Sequence, residues 1–194
     1  MPLGANKVAL FGVAGVSTGS AVLLSTATAS NDASIEFTLP TAYKQLCFGF
    51  YAIVPATSIT ELQFQCSTDG GSNYNKTITS TAFRAWHKED GSATDLSYAP
   101  LADQAQGTAY QELCNSIFTT DGDETATGHL YLYSPTSQTY VKHFQATSCA
   151  KGQYPVIRRY GGYINDGSND LTNISFKMSS GNISSGVIRM WGIK

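Results

Sequence analysis

The residues of this chain that could do chemistry are plentiful but poorly grouped for it. Serines abound, while the histidines are His87, His129 and His143. A nucleophilic triad needs a serine beside a base that an acid holds in place, and no Gly-x-Ser-x-Gly elbow occurs. Glycosidase chemistry needs two carboxylates facing each other across a cleft. Here the acids gather in turns, where aspartate is favoured for its hydrogen bonds to nearby backbone. Two of these turns, Asp121/Asp123/Glu124 and Asp166/Asn169/Asp170, offer hard oxygen ligands for calcium. Neither follows the EF-hand pattern, and solvated turns are the expectation for both. Cys47, Cys66, Cys114 and Cys149 form no Cys-x-x-Cys pair and show no zinc spacing with the histidines. They are expected to be free structural thiols, with Cys47 and Cys66 buried in apolar strand patterns. No catalytic residue, metal or cofactor is expected.

Stacking on sugar rings is the chemistry that the sequence offers best. His129, Tyr131 and Tyr133 alternate outward on one strand pattern, and Trp86, His87 and Trp191 add further flat faces. Of these, Trp86, His129, Tyr131 and Tyr133 are the candidate glycan contacts. Aromatic side chains on strands also serve cross-strand packing and oligomer contacts, and that reading is favoured here. Gly70-Gly71 is read as part of a hairpin and not of a strand–loop–helix phosphate cradle with lysine. The Asn-x-Ser/Thr sequons at Asn75, Asn173 and Asn182 carry meaning only in a host that glycosylates such sites, and little if the host is bacterial.

The elements that must position these residues read as short strands. In Thr60–Trp86, Leu62, Phe64 and Cys66 alternate with Glu61, Gln63 and Gln65, the period of a half-buried strand. Asp69-Gly70-Gly71 then supplies positive φ angles, and a second β-rich run over Tyr74–Trp86 predicts a hairpin. Ile35, Phe37 and Leu39 share one face before Pro40 ends the strand. Gln45–Ile53 is apolar on both sides, with Leu46, Phe48 and Phe50 opposite Cys47, Tyr51 and Ile53; such a strand is either covered twice or used in an oligomer contact. Residues 108–118 fit a capped helix or a strand with mixed faces. Leu130 and Leu132 point inward. Val156–Tyr160 and Gly161–Asn165 read as two strands kinked at Gly161-Gly162. Ile174, Phe176 and Met178 open a C-terminal hairpin that returns over Val187–Ile193. About eight to ten strands at these spacings predict an all-β fold, an antiparallel, jelly-roll-like β-sandwich over residues 21–194.

Residues 1–20 read differently. Lys7 precedes the short apolar run Val8–Val16, and Ala27-Thr28-Ala29 imitates a signal-peptidase site. One cation, two interrupting glycines and a run too short to span a bilayer favour an N-terminal arm over a secretion signal. The expectation is an arm, not a cleaved leader, docking through Leu10, Phe11 and Val13. The formal net charge is −2, which gives no general affinity for nucleic acid or anionic membranes. Charged residues make up 13% of the chain, and hydroxyls and amides fill the gap, a composition typical of extracellular β-proteins, fibres and virion shells.

Several stretches carry a resemblance. They are the opening Met-Pro-Leu-Gly-Ala-Asn-Lys, Phe37-Thr38-Leu39-Pro40, Gln63-Phe64-Gln65 with Thr68-Asp69-Gly70-Gly71, and Tyr140-Val141-Lys142-His143-Phe144. Phe176–Asn182 and the final Ile188–Ile193 complete the set. Through nearly its whole length the chain resembles a largely uncharacterised family of virion proteins of marine bacteriophages. These motifs are turns and strand ends, so the resemblance implies a setting and no catalytic residues. It implies a β-sandwich module on the head shell or on the tail and its fibres, assembled in the bacterial cytoplasm and carried on the virion. The expected partners are copies of itself, as a trimer, and other virion proteins such as a capsid or tail protein, with a host surface glycan as the alternative. The assembling residues would be Leu10, Phe11 and Val13 of the arm and Phe48, Phe50 and Tyr51 of the doubly apolar strand. No nucleic-acid partner and no membrane span are expected.

Overall fold

The computed structural model describes residues 21–120, 122–152, 154–166 and 169–194. Alternating apolar positions and frequent turn residues organise them into twelve strands. In chain order these are β1 (Ala21–Asp32), β2 (Ile35–Thr38), β3 (Gln45–Pro55), β4 (Thr60–Ser67), β5 (Thr77–His87) and β6 (Thr94–Tyr98). There follow β7 (Gln111–Ile117), β8 (Ala126–Tyr133), β9 (Lys142–Lys151), β10 (Pro155–Asn165), β11 (Asn173–Met178) and β12 (Ile183–Ile193). The predicted arm, with Leu10, Phe11 and Val13, lies outside the described residues.

All named pairings are antiparallel. One sheet runs β1-β12-β3-β8-β9-β10-β5-β6, and the other β2-β11-β4-β7. Renumbering β1, β2, β3, β4, β7, β8, β11 and β12 in chain order from 1 to 8 gives sheets of order 1-8-3-6 and 2-7-4-5. That interleaving is a jelly roll of two Greek keys. The remaining strands extend the first sheet beyond β8. The insertion β9–β10 continues its edge, and β5–β6, inserted between β4 and β7, pairs onto β10.

The two sheets close on an apolar core. Phe48 packs against Phe37 and Phe176 with ring centroids 5.9 and 5.5 Å apart, and Phe64 meets Phe144 edge-on at 5.2 Å. Leu46, Leu62, Leu130, Leu132 and Ile174 are fully buried around them. Each such side chain contributes about 1.5–3 kcal/mol of transfer free energy before entropy is counted.

Several sequence expectations are corrected. Thr60–Trp86 is not a hairpin: β4 and β5 lie in different sheets, and Thr68–Lys76 crosses between them. The Asp-Gly-Gly corner itself stands, with φ of 72° at Gly70 and 91° at Gly71. β11 and β12 likewise change sheets and form no C-terminal hairpin. Strand periodicity reports a buried face but not the sheet to which that face belongs, which is why both were misread. Residues 111–117 form a strand and no helix. Val156–Tyr160 and Gly161–Asn165 are one continuous strand. In β3 the left-handed Ala52 (φ 48°) shifts the register between Phe50 and Ile53, so Ile53 joins Phe48 and Phe50 in the core. Phe48 and Phe50 are fully buried inside the chain, which removes them from any exposed assembly face; only Tyr51 of that trio reaches solvent. Among the described residues no helix is long and apolar enough to cross a membrane.

Candidate binding surfaces

The outer face of the eight-stranded sheet collects the predicted aromatic residues. Register sets Cys47 of β3 beside Tyr131 of β8, and Gly49 beside His129. His129 then neighbours Thr147 of β9, which neighbours Arg159 of β10. Arg159 in turn lies opposite Phe83 of β5. The result is an open groove of about 350 Å³ walled by His129, Tyr131, Tyr133, Phe83 and Arg159. His129 meets Tyr131 edge-on at 5.1 Å, and Tyr131 stacks on Tyr133 at 6.3 Å and 23°. Gly161 opens the groove floor, since a Cβ there would meet nothing within 4 Å. Burial, with the Arg159 charge adding to it, holds the His129 imidazole below its usual range. Cys47, together with burial, pushes the Tyr131 phenol up. This groove can hold a flat or hydroxylated ring, with the phenols and Arg159 as polar contacts.

The same face carries further exposed apolar side chains. Leu96 on β6 is 74% exposed and Phe83 46%, and Ile157, Tyr51 and Leu23 are also exposed on this side. Trp191 packs edge-on against Tyr51 at 6.3 Å, and the Arg189 guanidinium lies 5.7 Å from the Tyr51 ring centre.

Trp86 is not part of the groove. The alternation of β5 sends it to the opposite face with Ala82 and Arg84. There it packs on Tyr154 at 4.8 Å, in a cleft between the sheets. This cleft exists because the four-stranded sheet stops at β7 while the eight-stranded sheet continues through β10, β5 and β6. Residues 99–111 fill part of the gap: Ala99 N donates to Ala82 O at 2.9 Å, and Gln111 Nε2 donates to Ala102 O at 2.8 Å. Arg84, Arg158, Glu112 and Asn115 line what remains. The sequence reading missed all of them. A usable signal was present, since arginines at 84 and 158 interrupt the otherwise apolar or small face of their strands.

The acidic turns are occupied by the protein's own groups. Asp166 is buried and takes Lys142 Nζ at 2.6 Å, so its carboxylate is not a solvated calcium ligand. Asp123 pairs with Lys151 at 2.7 Å, and Glu124 accepts from Thr120 N at 2.6 Å. Asp121 lies outside the described residues. Among the described residues no cluster of three or more His, Cys, Asp or Glu side chains could hold a metal ion. Cys66 and Cys114 are buried free thiols, with burial pushing Cys114 up to about 12, whereas Cys149 is exposed.

No protein-family model matches the chain, and no curated protein matches it. Among solved structures, a chain in the structure of infectious bursal disease virus Gx strain aligns over 88% of this chain and 39% of its own length, at 13% identity and a TM-score of 0.15. A likeness of that size carries no argument, and what is shown for this chain is its fold, an antiparallel β-sandwich.

Proposed function

We propose that the protein is a non-enzymatic structural subunit of a bacteriophage particle, an exterior decoration or accessory protein assembling as a homo-oligomer, with a trimer as the expected form. The observation that carries the reading is the outer face of the eight-stranded sheet, where Leu23, Tyr51, Phe83, Leu96 and Ile157 stand exposed on one side. Large apolar side chains left exposed on one sheet face, with Phe83, Leu96 and Ile157 on the adjacent strands β5, β6 and β10, mark an interaction surface. A jelly roll with few charges suits a subunit that must persist outside the cell. Arm residues Leu10, Phe11 and Val13 would tie the subunit to a capsid or tail neighbour. Light scattering after size exclusion tests the assembly: the wild-type protein should elute as an oligomer, and Phe83→Glu with Ile157→Glu should shift it to monomer. A monomeric wild-type protein at high concentration would sink the reading.

A second reading has its own observation. The register gathers His129, Tyr131 and Tyr133 into one groove with Arg159, an arrangement that suits a host surface glycan on a tail-associated module. A glycan array read with wild type and Tyr131→Ala decides it: loss of a positive signal in the variant supports the reading, and a blank array removes it.

A further inference from the structure

Among the described residues, the ion pair of Lys142 and Asp166 stands apart. Its side chains are 0% and 1% exposed, against 38% and 67% for Lys151 and Asp123, and Nζ lies 2.6 Å from Oδ1. Glu112, a second largely buried acid, pairs with an arginine, whose guanidinium keeps its protons and offers no nucleophile. Glu112 also accepts from Tyr160 Oη at 2.6 Å and Asn115 Nδ2 at 3.1 Å. Asp166 is less well served, since its Oδ2 is buried and meets no donor. Two charges taken out of water recover that cost only when their remaining hydrogen-bonding capacity is filled. Here one carboxylate oxygen is left over.

The pair sits in apolar surroundings. Lys142 opens β9 on its inner face, two residues before Phe144, and lies opposite the fully buried Ile164 of β10. Asp166 directly follows β10, so its carboxylate reaches Lys142 from the neighbouring strand. Across the core Phe64 packs on Phe144, and Cys66 stands two residues further along β4. Burial, with the Asp166 charge adding to it, pushes the Cys66 thiol up, so the thiol stays protonated within electrostatic reach of the pair. An amine and a carboxyl held in contact in such a core need be neither brought together nor stripped of water before they react. Cγ lies one carbon–oxygen bond beyond Oδ1, which puts Nζ close to the near-attack separation of about 3–3.5 Å.

We propose that Lys142 and Asp166 condense into an isopeptide bond that staples the start of β9 to the end of β10. The ammonium first passes a proton to Oδ1, leaving an amine and a carboxylic acid. The nitrogen lone pair attacks Cγ, a second proton moves from nitrogen to the Oδ1 hydroxyl, and that hydroxyl departs as water. One Cγ–Nζ bond forms and one Cγ–Oδ1 bond breaks, with no oxidant, reductant or cofactor consumed. Oδ2 remains as the amide oxygen. Both buried charges vanish, and two N–H hydrogens and one oxygen leave the core with them, which removes the cost of the ion pair. The bond closes the open end of the β9–β10 hairpin, whose second strand carries β5 and β6. It depends on neither reading of the outer sheet face.

Mass spectrometry of the full chain, folded and incubated at neutral pH and then denatured and digested, tests the proposal. The intact chain should weigh about 18 Da less than its sequence, the mass of one water. Trypsin should fail to cut after Lys142 and should release a branched peptide joining residues 89–151 to residues 160–177. Lys142→Arg and Asp166→Ala should each restore the sequence mass and abolish the branch. The wild-type digest decides by itself should either variant fail to fold. A folded wild-type chain of full mass, cut normally after Lys142, would overturn the proposal. So would a water loss confined to a linear peptide around Asp166-Gly167, where an Asp-Gly backbone can close a succinimide without any lysine. A branch that survives in Lys142→Arg would overturn it as well.

Discussion

Two carboxylates show how local chemistry fixes backbone in this protein. At the corner after β4, Ser67 Oγ donates to Asp69 Oδ1 at 2.6 Å, and Asn73 N and Nδ2 donate to its two oxygens at 3.0 and 2.6 Å. These bonds, led by that from the Asn73 side chain, lower the Asp69 carboxyl from 3.8 to about 2. A depressed carboxyl stabilises the fold above its unfolded value and loses that contribution as pH falls through its folded one. The corner should therefore hold at pH near 3 and loosen only as pH approaches 2, while Asp69→Asn should abolish that dependence. The Asp69 carboxyl shift followed by NMR against pH checks it, and a midpoint near 4 would contradict it. Glu112 is the buried counterpart. Glu112→Ala strands the Arg158 guanidinium, the Tyr160 hydroxyl and the Asn115 amide together, and should cost about 3–5 kcal/mol in urea denaturation. A cost below about 1 kcal/mol would mean that water replaces the carboxylate freely.

At the scale of the element, paired glycines in β10 separate packing from shape. A Cβ at Gly162 would sit 2.5 Å from Thr79 O and 2.8 Å from the Phe144 ring, whereas one at Gly161 would meet nothing within 4 Å. Gly162→Ala should therefore destabilise by about 1–3 kcal/mol, and Gly161→Ala should be close to neutral while narrowing the outer groove. Thermal melts of the two variants side by side test this, and equal midpoints would refute it. These glycines explain one misreading, since a Gly-Gly pair suggests a kink where in fact one residue makes room for a core ring. The same scale shows what was legible. Alternation placed Ile35, Phe37, Leu62, Phe64, Leu130, Leu132, Ile174 and Phe176 inward, and all are buried. It failed in β3 because one left-handed alanine reverses the phase after Phe50. That device leaves no mark in residue type, as Ala52 is neither glycine nor asparagine.

At the scale of the molecule, the sandwich and its jelly-roll character were readable because turns and buried faces are local properties. Assignment of strands to sheets was not, because it depends on which distant strand completes each ladder. The outer groove was legible through His129, Tyr131 and Tyr133, which share one strand. The inter-sheet cleft was not, since Arg84, Glu112 and Arg158 come from three strands that only the overhang brings together. Trp86 was grouped with those aromatics, but it lies on the opposite face, in the inter-sheet cleft.

The pairing of β1 with β12 has a consequence for synthesis. Ala21 lies beside Ile193 and Thr28 beside Val187, so the first described strand finds its ladder partner only in the last. A ribosome emitting this chain releases β1 long before its mate exists. The strand must wait, its unpaired backbone edge open to other nascent copies, until β12 has emerged. Folding of the sandwich should therefore wait for β12 and be slow, on the ms–s scale of non-local β topologies. The same proximity brings Ala21 and Ile193 to one corner, where a graft at either position would emerge on the same side of the sandwich.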